Sequence, residues 1–262
     1  MMGKAHWAAE KTIRRLEEAE TLAARGELNL VSIQAVKDNF EKSANEFNAI
    51  MRTAEAQAPS EELVNASVDF EAHINAHSQI LSTVEHAATS TGQSAIASFT
   101  SVVEEHAHKA KEDRANSVEV FLKPEQNKRK EEHARTLFDD RVQSVQTIID
   151  DAHSTLRDAT TTVTAASTSV QGVVLGNVPE TLQMAENALK DAKEKENSGD
   201  SNKAFSALLD SESAAKQADI SVEAGAKNER EEKGAQQTEQ KSDSKKESGG
   251  DSSKKGNDSE QH

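Results

Sequence analysis

Apolar residues recur along this chain at spacings of three and four, and the longest run sets the reading of the whole. Phe138, Val142, Val145, Ile149, Ala152, Leu156, Ala159, Val163, Ala166, Val170 and Val173 follow one another at four, three, four, three without a slip. That period puts them on one narrow stripe of an α-helix, and such a stripe must be buried against other helices.

Shorter stripes surround it. Helix 1 is predicted over about 4–25, with Ala9, Ile13, Leu16 and Ala23 on one face and Gly26 as its stop. Helix 2 opens after Asn29, a good N-cap, with Leu28 and Ile33 placed to staple the first turn. Its stripe is Ile33, Val36, Phe40, Phe47, Ile50 and Ala54, and Pro59 closes it. Ser60 caps helix 3, which carries Leu63, Phe70, Ile74, His77, Leu81, Val84 and Ala88. Ser90 to Gln93 has the form of a capping box, and helix 4 then presents Ile96, Phe99, Val103, His106 and Ala110. Residues 117–122 alternate like a short strand, but no second strand candidate exists, so they read as a helix end.

Pro124 begins helix 5, whose stripe reaches to about 175, a length of roughly 75 Å. A helix that long bridges two bundles or bends. The bend is expected at 159–164, where threonines crowd the helix. Gly172, Gly176 and Pro179 read as its end and the start of helix 6, with Leu182, Ala185, Leu189 and Ala192. Helix 7 follows Asp200 or Ser201 and presents Phe205, Leu208, Leu209, Ala215 and Ala218.

The reading is an all-α protein: elongated antiparallel helical bundles of about seven helices, linked by one long helix with heptad spacing, and a disordered C-terminal tail. An N-terminal helical bundle takes 1–122, the long helix with a helical hairpin takes 123–226, and a charged tail takes 227–262. Composition supports the division. Leu, Ile, Val and Phe make up about 18% of the chain, under the ~20% where disorder becomes a prior, but none lies beyond Val222. The 38 alanines favour helix and narrow cores. Beyond 226, charged and small polar residues alternate and have nothing to bury.

The net charge is −15, and no basic stripe interrupts it, which excludes nucleic acid as a partner. Lipid is not expected either, because the weakly charged part of helix 5 lacks the basic and aromatic residues of an interfacial helix. With no cysteine, there are no disulfides, thiolate metal ligands or thiol nucleophiles. No apolar run approaches the ~20 residues that span a bilayer, and Met1 to Trp7 lead straight into an amphipathic helix with no signal peptide.

Candidate chemistry is sparse. His73 and His77, four apart on helix 3, have the spacing of two imidazoles sharing a metal, with His106 of helix 4 as a third ligand and Asp69, Glu71 and His108 as further ones. The competing reading makes His77 and His106 semi-polar seam positions and puts His73 beside the seam. The paired acids Glu131/Glu132, Asp139/Asp140 and Asp150/Asp151 lie on the polar flank of helix 5, where nothing desolvates them for acid–base work. No glycine-rich phosphate loop or nucleophile elbow occurs. The sequence therefore predicts no enzyme and no cofactor. It predicts an interaction or scaffold module, with a protein partner or another copy of the chain meeting helix 5. Metal or small-ligand binding by the histidines of helices 3 and 4 is the alternative.

The opening segment reads Ala9-Glu-Lys-Thr-Ile-Arg-Arg-Leu-Glu-Glu-Ala-Glu-Thr-Leu-Ala-Ala-Arg-Gly26-Glu-Leu. The Phe40/Phe47 helix and the segment from Glu71 to Leu81 follow it. Over about residues 5–110 this resembles the domain of unknown function 5667 family, helical proteins of bacterial and archaeal candidate phyla. The resemblance implies a helical fold and no assigned activity, so no catalytic residue is carried over. Family members usually bear an N-terminal anchor or signal. The resemblance therefore implies an extracytoplasmic setting, with this chain a trimmed or truncated form.

Overall fold

In the computed structural model, residues 2–25, 27, 29–87, 90–122, 128–162 and 170–243 are described. Side chains are described for these except 24, 30, 87, 90–92, 128–136, 161–162, 170–174 and 226–243. Among the described residues there are seven helices and no strand: α1 (Met2–Ala24), α2 (Leu30–Gln57), α3 (Glu61–Ala87), α4 (Ser90–Leu122), α5 (Lys128–Thr162), α6 (Val170–Asn197) and α7 (Ser201–Asp243). The strand-like residues 117–122 form the end of α4, as expected.

Local sequence explains several ends. Asn29 Oδ1 accepts from Val31 N and Ser32 N, while Ser32 Oγ accepts from Asn29 N, which closes a reciprocal cap on α2. Ser60 Oγ accepts from Leu63 N at the start of α3. At the end of α6, Gly199 adopts a left-handed φ of 83° and Asp200 N donates back to Lys195 O, a turn that glycine enters without strain. Asp200 then caps α7 through Lys203 N. The Leu28 staple, the Gly26 stop, Ala88 and Pro124 lie outside the described residues, and the Ser90 capping box outside the described side chains.

The first unit is two antiparallel hairpins side by side, α1/α2 and α3/α4. Lys11 meets Glu46 and the Thr12 and Ser43 hydroxyls lie 2.9 Å apart, fixing α1 antiparallel to α2. Ser67 against Ser117 and Glu71 against Arg114 do the same for α3 and α4. The hairpins join through aromatics. Phe40 of α2 packs edge-on against Phe99 and His106 of α4, and Phe47 stacks on Phe70 of α3 with ring centroids 4.0 Å apart. Phe40 and Phe99 are fully buried, and each such ring contributes about 1.5–3 kcal/mol.

The second unit is α5, α6 and α7. Phe138, Val145, Ile149, Ala152 and Ala159 of the α5 stripe are buried against α6 and α7, so an internal partner covers the stripe over this stretch. Farther along the stripe, α5 is described to Thr162 and Val170 and Val173 belong to α6, while Val163 and Ala166, with part of the 159–164 stretch where a bend was expected, lie outside the described residues.

Gly172, Gly176 and Pro179 do not end a helix, contrary to expectation; all three lie inside α6. The reason is burial. Leu175, Val178, Leu182, Ala185, Leu189 and Ala192 make an unbroken stripe across Pro179, which itself faces solvent. The helix therefore tolerates a residue that by itself disfavours it. α7 continues past 226 to Asp243 through a segment rich in Ala, Glu, Lys and Gln, all good helix formers. The charged tail expected from 227 lies, over 244–262, outside the described residues.

Candidate functional site

The two units meet along α3 and α7, and this seam holds the most distinctive chemistry of the chain. Its apolar part is small: Val64 and Val68 of α3 and Val118 of α4 pack against Phe205 and Leu209 of α7. Charged braces surround it. Arg114 of α4, only 3% exposed, donates through Nε to Glu71 of α3 and through Nη2 to Asp210 of α7 at 2.5 Å. Arg141 of α5 donates to Glu212 of α7 at 2.6 Å and to Asn65 of α3 at 2.5 Å, with Glu61 at 3.5 Å. Its guanidinium also lies over the Phe205 ring. Lys216 of α7 bridges Asp69 at 2.5 Å and Glu212 at 2.7 Å.

Buried charges survive only with partners, and the proton affinities follow. Desolvation opposes the charge on Arg114, but Glu71 and Asp210 outweigh it and raise its pKa. Burial raises the Glu71 carboxyl above its ordinary range, and the guanidinium offsets only part of that. Burial also pushes Glu212 upward, yet Arg141 and Lys216 together hold it below the ordinary range. Lys216 is raised, its desolvation outweighed by Glu212 and Asp69.

Above the Arg114 brace, α3, α4, α6 and α7 enclose a cleft of about 580 Å³. Glu71 and Asp210 form part of its wall, and Met184, one of the few large apolar side chains left exposed, stands at its edge. A second cleft of about 420 Å³ adjoins it, sharing Ser78, Gln79 and Glu104.

The histidines named from sequence occupy separate settings. His77 is buried and its Nδ1 lies 2.6 Å from Glu20 Oε1 of α1. His73 Nδ1 donates to Asp69 O at 2.8 Å, and burial lowers its pKa. His106 turns Nδ1 into the interior with no hydrogen bond among the described residues, edge-on to Phe40, and its pKa is lowered by burial first and Lys109 second. Asp69 and Glu71 are engaged by Lys216 and Arg114, and His108 lines the large cleft. Among the described residues no three His, Asp or Glu side chains surround a point that would hold a metal ion. The paired acids Asp139/Asp140 are exposed, as are Asp150/Asp151, while Glu131/Glu132 lie outside the described side chains.

Sequence reasoning missed Arg114 and Arg141. A signal existed for the first: Val103, Ala107, Ala110 and Arg114 continue the α4 stripe at four, three, four, so an arginine occupies a core-facing position. Arg141 stands three residues after Phe138 and four before Val145, on the inner edge of the α5 stripe.

These features define an all-α protein of two helical units cross-braced by cations that reach from one unit to half-exposed acids of the other. Comparison with protein-family models, with curated proteins and with solved structures gives no match. Among the described residues no helix is long and apolar enough to cross a membrane.

Proposed function

We propose that this protein is a non-enzymatic helical interaction or scaffold module that presents a fixed surface to another protein or to a second copy of itself. One observation supports the reading above others: three cations, Arg114, Arg141 and Lys216, each reach across the seam to the other unit. Inter-domain seams of modest apolar area ordinarily permit movement. Directional charge-assisted bonds oppose it, since rotation of one unit would take Arg114 from Asp210, Arg141 from Asn65 and Glu61, and Lys216 from Asp69 together. Acid–base catalysis by a carboxyl needs that group free to exchange its proton with substrate, whereas Glu71 and Glu212 are held against guanidinium groups.

The contact surface we assign is the outward face of α5. Its inner stripe is covered by α6 and α7, leaving Asp140, Gln143, Thr147, Asp150 and Ser154 exposed at helical spacing. The similarity of residues 5–110 to the domain of unknown function 5667 family supports an extracytoplasmic setting, as the soluble part of a membrane-anchored protein.

The absence of cysteine makes the test clean. Gln143→Cys and Thr147→Cys should form intermolecular disulfides under mild oxidation, or cross-links to one recurring partner in its native extract. Lys190→Cys on the exposed flank of α6 should form neither. Equal rates at all three positions, with light scattering that stays monomeric at several hundred micromolar, would refute the assignment to α5.

A further inference from the structure

We propose that the cleft between the two units binds a small organic cation, an amine with N–H donors at more than one position along a flexible chain. Unspent hydrogen-bonding groups converge there. Gln217 and Ser213, one turn apart on α7, are only 8% and 4% exposed. Both line the cleft and neither has a hydrogen-bond partner among the described residues. Ser78 of α3, 9% exposed, faces the same space in the same condition. The three side chains are mostly buried but turn toward the cleft, so a molecule seated there can take up their hydrogen bonds.

The charge of the lining selects the ligand's sign. Glu71 and Asp210 each give one carboxylate oxygen to Arg114 and keep the other without a hydrogen bond among the described residues. Glu104 adds a third carboxylate from α4, and Lys111 supplies the remaining cation of the wall. Counting Arg114, three acids face two bases, an excess of one negative charge within a chain of net charge −15. Ionised carboxylates accept hydrogen bonds only, and an ammonium donates three. An anion would meet three carboxylates here, and a neutral molecule would leave the excess charge uncompensated.

The shape selects the length. The two adjoining clefts follow α3 from Glu71 to His86, about 22 Å of helix. Polar groups alternate along this trough with a short apolar strip, Met184, Ala188 and Ala214, on which methylene groups can lie. A volume of about 580 Å³ for the larger part falls within the range of small-molecule sites. A diamine or polyamine has this pattern: cationic ends, an apolar middle and donors at intervals.

Isothermal titration of the full chain with spermidine and with putrescine tests the proposal, with citrate and glucose as anionic and neutral probes. The expected result is one saturable site for spermidine, weaker binding of putrescine, and no heat from the other two. Gln217→Leu and Glu104→Gln should each weaken spermidine at least fivefold. Gln217→Leu should melt no lower than the parent, because the amide makes no hydrogen bond to the described residues. Asp139→Asn, on the exposed flank of α5, should leave affinity unchanged. No saturable heat at millimolar amine overturns the proposal. So does binding at several sites that Asp139→Asn weakens as much as Glu104→Gln does, the mark of diffuse attraction to an acidic surface. Either failure leaves the scaffold reading standing, since that reading is tested on α5.

Discussion

Replacing Arg114 by methionine removes the guanidinium and keeps much of its volume, which leaves Glu71 buried without a counter-charge. Breaking a buried pair from one side costs about 3–5 kcal/mol when the surviving charge cannot escape. Glu71 has an escape: it can take up a proton. From an ordinary carboxyl value of 4.5, staying neutral costs about 3.4 kcal/mol at pH 7 and about 0.7 kcal/mol at pH 5. The half-exposed Asp210 contact adds under ~1 kcal/mol at either pH. Because the parent's Glu71 carboxyl is itself raised, these are upper bounds: Arg114→Met should lose at most about 3–4 kcal/mol at pH 7 and at most about 1 kcal/mol at pH 5. The direction is that of a carboxyl whose native pKa is raised: the penalty is absent below the unfolded-state pKa and grows as pH rises above it. Urea unfolding followed by circular dichroism at 222 nm, at both pH values, reads the difference. Glu71→Leu in the same chain should restore most of the loss at pH 7, because the uncompensated charge is then gone. Equal destabilisation at pH 5 and pH 7, or no recovery in the double variant, would show that the brace does not act electrostatically.

Two further outcomes follow from the geometry. His73 and His106 are held neutral by burial, so stability should fall as pH drops below about 6.5 toward their lower native values, where the unfolded chain gains protons the native one refuses. Melting curves at pH 7.5 and 5.5 should show a smaller drop for His106→Leu than for the parent, and an identical drop would contradict this account. Gly199→Ala should destabilise by about 1 kcal/mol, since its φ of 83° suits only glycine, while Gly176→Ala should stabilise by up to ~1 kcal/mol, because it sits in α6 with open space around it. The same chemical change with opposite signs is the check, read as two shifts in urea midpoint.

Helix positions were legible in this sequence wherever a local device marked them. Asn29, Ser60 and Asp200 each cap a helix within a few residues, so reading them needs no knowledge of the fold. The stretch around Pro179 was misread for the opposite reason. A proline's local preference yielded to a stripe from Leu175 to Ala192 whose burial depends on α5 and α7. The candidate site was the least legible part. His77 stood out by residue type, yet it pairs within its own unit with Glu20. Periodicity places Arg114 on the α4 stripe and Arg141 at the edge of the α5 stripe, but it does not name the acids that meet them. The main partners of these arginines lie 43 and 71 residues away, a relation no periodicity carries.

α7 takes part in all three apolar clusters: it closes the second unit, supplies Phe205 and Leu209 to the seam, and lays Ala224 against the first unit. Ribosomal synthesis therefore releases α1 to α4 long before their last neighbour exists. At ~5–20 residues per second, Val64 and Val68 wait on the order of ten seconds for Phe205 and Leu209 to emerge. During that interval the nascent chain shows a bare valine ridge flanked by unneutralised Asp69 and Glu61. The same acids that later anchor the brace keep the waiting ridge hydrated and disfavour premature sticking between neighbouring nascent chains.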